Sequence, residues 1–277
     1  MKRILVATDL SARSDRALRR ALTIAHESAS TLEVIHVIDD AWPGAEIERQ
    51  DQCARSVIAD ELRQAGAETK PSTTIVRGQP FVEIVKRATE TGVDLIVLGI
   101  HRGKGREMFR GTTAERVIRL GHTPVLVVTT PVTHGYGRVL VGYDFSIHSK
   151  RALEFAALWL PAAEFHIVHA THVPFKGFLG PQTQNEIADD EESKAAGRLE
   201  EDLTALKNRF GARCPQFHVS IEEGAPLAVI GTHAKKVRPD LIVIGTYGRS
   251  GLSHLVLGSI AEELIADATI DILAVKA

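Results

Sequence analysis

Cysteine is nearly missing from this 277-residue chain, with two in all, Cys53 and Cys214. Two distant cysteines cannot build a disulfide framework and offer no paired metal-ligand spacing; both are expected to be small, semi-buried residues. Aromatics are sparse at 5%. Neither charge sign prevails, since 33 Lys and Arg face 35 Asp and Glu for a net charge of −2. A chain that coats phosphate backbones is normally basic, which argues against general nucleic-acid binding. No apolar run approaches the ~20 residues of a membrane span, and the N-terminal apolar stretch meets Asp9 after too few residues for a signal-peptide core. A cytoplasmic protein with no membrane partner is the expectation. Three phosphate or nucleophile motifs are also missing. No Gly-x-Gly-x-x-Gly follows the first strand, Gly103-Lys104 is followed by Gly105 rather than Ser or Thr, and there is no Gly-x-Ser-x-Gly elbow.

What is present is a repeat. Arg3–Leu18 aligns with Arg138–Leu153 at an offset of 135, with nine of sixteen positions identical. Asp94–Gly99 matches Asp240–Gly245 in five of six positions at an offset of 146, as do Gly78-x-Pro80 and Gly224-x-Pro226. The larger offset implies an insertion in the second copy, in its charged helix. A turn-rich joint, Thr129–Gly137, divides the chain into domains at 1–132 and 136–277.

Each copy alternates strands and helices. Ile4–Ala7, Leu95–Leu98 and Val125–Val128 are continuous β-branched runs, suited to a parallel sheet covered on both faces. Ala17, Leu18, Ala21, Leu22 and Ala25 form one helical stripe, repeated as Ala152, Leu153, Ala156 and Ala157. Pro80 and Pro226 suit a first helical turn. The fold class is therefore α/β, with two tandem doubly wound α/β/α domains, each a Rossmann-like five-stranded parallel sheet. One continuous ten-stranded sheet is the weaker reading, because the copies are so nearly complete. Glu186–Asp202 reads as the solvated face of a long helix, with Leu199, Leu203 and Leu206 inward.

Ligands of such sheets collect beyond the carboxyl ends of the strands. There the second copy reads Gly245-x2-Gly248-x9-Gly258-Ser259, a glycine-rich loop running from a strand into a helix. Glycines let backbone N–H groups approach phosphate oxygens, and the helix N-terminus adds partial positive charge. Ser259 can cap that helix or donate to the same phosphate.

This spacing, inside a repeated α/β unit, resembles the ATP-binding signature of the universal stress protein family. So do Asp144 after the first strand, the Gly-x-Pro before the third helix, and His169 near the end of the second strand. The resemblance covers both halves and implies a tandem member with an adenine nucleotide alpha hydrolase-like fold. It implies that Asp144 contacts the nucleoside side of ATP and that Ala170 meets adenine through its backbone. It also implies that Gly245, Gly248, Arg249, Gly258, Ser259 and Ile260 wrap ribose and phosphates, with Mg2+ or Mn2+ bridging the phosphates. The resemblance gives the first copy a degenerate form of this site, made of Asp9, Val37, Gly99, Gly111 and Thr112. Arg102 stands where the second glycine belongs, and only eight residues separate it from Gly111. If that position needs positive φ, a side chain costs on the order of 1–2 kcal/mol. Arg102, Lys104, Arg106 and Arg110 form a basic loop, so one ATP site per chain is expected, in the second half.

Family members pair through their last strands, which implies an intramolecular pairing of Val125–Val128 with Ile272–Val275 that protects two edges, a pseudo-dimer that can pair again as a homodimer. The function implied is an ATP-binding stress-response protein whose nucleotide changes its conformation or its choice of a protein partner. The alternatives are a slow ATPase or self-phosphorylating enzyme, with no general base nameable, and a nucleotide-independent scaffold or metal-binding stress protein. His254 reads as a solvent-facing loop residue. His166, His169 and His172 are spaced so that all three cannot share one face of a strand. Zinc held by His169 and His172 with a distant ligand is the metal alternative.

Overall fold

A computed structural model describes residues 1–40, 43–66, 70–100, 112–172, 180–248 and 257–277. The first half runs β1 (Arg3–Thr8), α1 (Ala12–Glu27), β2 (Thr31–Ile38), α2 (Gly44–Gln64), β3 (Ser72–Arg77), α3 (Pro80–Thr91), β4 (Leu95–Gly99), α4 (Thr113–Leu120) and β5 (Val125–Val128). The second half repeats the order as β6 (Arg138–Gly142), α5 (Ile147–Trp159), β7 (Glu164–Thr171), α6 (Pro181–Phe210), β8 (Gln216–Glu223), α7 (Pro226–Val237), β9 (Leu241–Gly245), α8 (Ser259–Ala266) and β10 (Asp271–Val275). Helix α6 has 30 residues against 21 in α2, so much of the insertion does lie in the charged helix. Its Leu199 and Leu203 are buried, as expected.

Within each half all five strands are parallel. The half-sheets then join through an antiparallel β5–β10 pair, with Leu126 opposite Leu273, giving the order β3-β2-β1-β4-β5-β10-β9-β6-β7-β8. Two complete copies and a ten-stranded sheet therefore coexist, and the reading disfavoured on the completeness of the copies describes the whole chain. Alternate strand residues feed two cores. Ile4, Val6, Val139 and Val141 pack under α1, α2, α5 and α6, whereas Leu5, Leu140, Ile242 and Ile244 pack under α3, α4, α7 and α8. This is the continuous double burial that the β-branched runs imply.

Asp271, at 0% exposure, is the buried carboxylate at the junction. Its Oδ1 accepts the backbone N–H of Thr129 (2.8 Å) and Thr130 (3.0 Å) and the Thr130 hydroxyl (3.0 Å). Its Oδ2 accepts the Tyr136 hydroxyl (2.6 Å) and lies 3.5 Å from Arg20 Nε. The Arg20 guanidinium carbon in turn stands 4.4 Å over the Tyr136 ring.

A second, half-buried acidic contact sets a pH response. Burial, and after it the hydrogen bond and charge of Asp15, push the Glu61 carboxyl from 4.5 up to about 7. The folded state then keeps a proton that the unfolded chain has released, so this site's contribution to stability falls as pH rises from 4.5 to about 7 and is level above. Glu61→Gln is expected to remove that fall, read as denaturation midpoints at about pH 5 and about pH 8. A wild-type-like fall in the variant would contradict it.

Candidate functional site

The doubly wound order reverses between β1 and β4, and again between β6 and β9. At each reversal a crevice opens beyond the strand ends, and its first wall is the loop carrying Asp9 or Asp144. Both loops are built alike. Ser11 N–H donates to Asp9 Oδ1, and Ser146 N–H to Asp144 Oδ1, at 3.0 Å each. The intervening Leu10 (φ 63) and Phe145 (φ 65) are left-handed, a strained state costing roughly 1–2 kcal/mol for an L-residue. Ser11 and Ser146 then cap α1 and α5.

The histidines at the ends of β2 and β7 support these loops. His36 Nδ1 lies 2.8 Å from Thr8 O, and His169 Nδ1 lies 2.7 Å from Tyr143 O. A carbonyl only accepts, so Nδ1 carries the proton in both. In the second half Phe145 packs against the His169 ring at 4.6 Å, with the Arg198 guanidinium 4.2 Å above it. Tyr143 donates to Asp202 Oδ2 (2.8 Å), and Lys150 holds Asp202 Oδ1 (2.7 Å). Burial, then the Asp202 carboxylate, push the Tyr143 hydroxyl far above its ordinary range. Thus α6 braces the Asp144 turn, a role for Phe145, Arg198 and Asp202 that sequence patterning does not reveal.

Three glycines form the facing wall. A Cβ on Gly245 would stand 2.7 Å from Ser149 N and 2.8 Å from His148 C, both backbone atoms. Gly245 thus lets β9 meet the first turn of α5, as Gly99 does against Arg13 O (2.9 Å). Gly245→Ala is expected to cost about 1–3 kcal/mol through overpacking, measured by thermal unfolding; an unchanged Tm would refute this packing role. Gly248 does not adopt a positive φ. Its constraint is space, because a Cβ there would lie 3.2 Å from Asp144 Oδ2. Gly258 rather than Ser259 is the N-cap of α8, with no side-chain capping bond; Ser259 is the first helical residue.

One cavity of about 430 Å³ brings Asp144, Ala170, Gly245, Gly248, Gly258, Ser259 and Ile260 together, over an apolar floor of Val168, Val229, Ile230 and Ile244. Arg249 and His254 lie outside the described residues. The first half has a cavity of about 280 Å³ lined by Asp9, Val37 and Gly99. Thr112 is not among its lining residues. It caps α4 in a reciprocal box, in which Glu115 N–H donates to Thr112 Oγ1 and Thr112 N–H donates to Glu115 Oε2, both at 3.2 Å. Glu115 is 6% exposed. The Thr-x-x-Glu spacing was the available signal for it. Gly111 and the basic residues Arg102, Lys104, Arg106 and Arg110 fall outside the described residues.

His169 is buried and His172 exposed. His166 instead stacks on His218 across the β7–β8 pair, ring centroids 4.9 Å apart. Among the described residues no three His, Cys, Asp or Glu side chains gather to hold a metal ion. Cys214 is half-buried, but Cys53 is exposed on α2, contrary to expectation. No helix among the described residues is long and apolar enough to cross a membrane.

Fold and crevices together define a duplicated doubly wound α/β protein with a cavity beyond the strand ends in each repeat. Residues 1–129 and 135–276 each match the universal stress protein family, and the chain belongs to that family. A universal stress protein of Mycolicibacterium smegmatis is 25% identical, over 99% of this chain and 96% of its own. Universal stress protein MJ0531 of Methanocaldococcus jannaschii is 33% identical over 141 residues, 47% of this chain and 83% of its own. In fold, the crystal structure of a universal stress protein from Archaeoglobus fulgidus matches with a TM-score of 0.72 at 23% identity, covering 99% of this chain and 98% of that one.

Proposed function

We propose that this universal stress protein binds ATP in its second cavity and serves the stress response as a nucleotide-dependent conformational or signalling protein. The observation that carries the reading is the convergence of Asp144, Ala170, Gly248, Gly258, Ser259 and Ile260 on one cavity. A further support is that Gly248 leaves room for the Asp144 carboxylate at the cavity wall, since a Cβ there would lie 3.2 Å from Asp144 Oδ2. Asp144 would take the ribose hydroxyls and Ala170 the adenine edge. Ser259, Ile260 and Arg249 would take the phosphates at the α8 N-terminus, with Mg2+ or Mn2+ neutralising them. Gly245 is assigned to packing. A nucleotide moves such a switch only by its differential affinity for two states. The β5–β10 pair, with the halves in the places of two subunits, would carry that change between the repeats.

Gly258→Asp tests the site, at some cost in packing, because its Cβ would stand 3.2 Å from Thr246 O. Aspartate is a favoured N-cap, so α8 is expected to hold, while the new carboxylate meets the phosphates at the helix end. Equilibrium dialysis with labelled ATP and Mg2+ is expected to show binding to wild type and none to the variant, which still unfolds cooperatively at a Tm lowered by a few degrees at most. Equal binding by both would reject the assignment.

A further inference from the structure

The root of the second half's glycine loop is tied to the first repeat through the end of β10. Thr246 N–H donates to Val275 O (3.1 Å), and Thr246 O accepts the N–H of Gly258, the α8 cap (2.9 Å). Tyr247, which lines the cavity beside Gly248, accepts the Ser146 hydroxyl on its carbonyl (3.2 Å). Its ring meets that of His148 at 5.1 Å, and the Lys276 ammonium stands 5.7 Å over it. His148 Nδ1 in turn accepts the Ala277 N–H (2.8 Å).

Lys276 carries the tie across. It is 6% exposed, and its ammonium donates to Arg119 O in the last turn of α4 (2.9 Å). A cation is favoured at that end of a helix. Burial nonetheless pulls the Lys276 pKa down, so the charge is kept here at a cost that an apolar side chain would not carry. Burial also raises the Tyr247 hydroxyl, and the Arg119 guanidinium, near enough to act on it, works against that rise. At its other end α4 begins with Thr113 and Ala114, which line the first cavity about 9 Å along the helix axis from Arg119. Thr129, the counterpart of Lys276 at the end of β5, spends its hydroxyl on Asp271 instead. Among the described residues the lysine tie therefore joins the second cavity to the first repeat and not the reverse.

From these contacts we infer that Lys276 couples the second cavity to the first repeat. It holds Tyr247, and with it the wall beside Gly248 and Asp144, against the last turn of α4. A ligand that orders that wall then also orders α4 and the mouth of the first cavity. The coupling is reciprocal, since whatever steadies α4 steadies the wall by the same free energy. The ligand used to test it rests on the proposed ATP reading of the second cavity; the tie itself does not.

Hydrogen exchange of the full chain, read by mass spectrometry, tests this in wild type and in Lys276→Met, with and without ATP and Mg2+. Methionine keeps most of the apolar stem and removes the ammonium. Without nucleotide, the substitution is expected to speed exchange roughly tenfold at both residues 246–248 and residues 117–121. With saturating ATP, exchange in wild type is expected to slow at both segments, and in Lys276→Met at residues 246–248 alone. Tyr247→Leu, which leaves Lys276 on Arg119 O, is expected to uncouple α4 in the same way. Faster exchange at one segment only, or at neither, in unliganded Lys276→Met would overturn the inference. So would ATP protecting residues 246–248 of wild type without α4, or protecting α4 equally in Lys276→Met. ATP protecting neither segment would reject the nucleotide reading, and the unliganded comparison then decides the tie alone, so the two proposals fail separately.

Discussion

Asp271→Ala is expected to destabilise the chain by about 3–5 kcal/mol, the cost of breaking a buried charge pair by removing one partner. The carboxylate is wholly buried and collects donors from the end of β5, from the joint and from α1. Its loss leaves the Tyr136 hydroxyl and two backbone N–H groups without an acceptor in an apolar junction, and strips the buried Arg20 guanidinium, which still donates to the His134 carbonyl at 2.7 Å, of its countercharge. At this chain length the expected fall in Tm is on the order of 10 °C. Tyr136→Phe removes one neutral donor from the same carboxylate and is expected to cost only about 0.5–1.5 kcal/mol. Denaturant unfolding of the pair checks both values; an Asp271→Ala loss no larger than that of Tyr136→Phe would show that the junction does not depend on this charge.

Asp144→Asn is expected to weaken ATP binding by about 10- to 100-fold, the worth of a hydrogen bond to a charged group. The substitution is chosen because asparagine keeps an oxygen for the Ser146 N–H, which holds the Phe145 turn at 3.0 Å. The turn and the α5 cap beyond it therefore survive, and a loss of affinity without a loss of Tm isolates the carboxylate's role toward ligand. Titration beside thermal unfolding separates the two effects. Unchanged affinity would move the ribose contact elsewhere in the cavity.

The repeat, the strand runs and the glycine spacing were legible because each is local and appears twice. Identical residues at a fixed offset put Asp9 and Asp144, or Gly99 and Gly245, at matching points of one fold, and the structure returns them as matching cavity walls. Purposes were less legible than positions. Gly245 reads as a phosphate glycine, yet the nearest constraint is the backbone of α5, which packing alone brings there. Gly248 reads as a positive-φ residue, yet what limits it is a carboxylate 104 residues earlier in the chain. Asp271 opens an ordinary apolar strand in the sequence; its partners Thr129 and Thr130 are more than 140 residues away. Capping in α8 lies one residue from where the sequence puts it because Ser259-x-x-Glu262 and Thr112-x-x-Glu115 share one pattern, and only the second closes as a box. Long-range contact decides such cases, and no periodicity records it.

The most direct measurement is a calorimetric titration of the intact chain with ATP and Mg2+, carried to saturation and repeated with Gly258→Asp. One ATP per chain, abolished by the substitution while the variant remains folded and unfolds cooperatively, is the expected result. Two per chain, or binding that survives Gly258→Asp, would contradict a single nucleotide site in the second half, and no binding to folded protein would remove the nucleotide from its function.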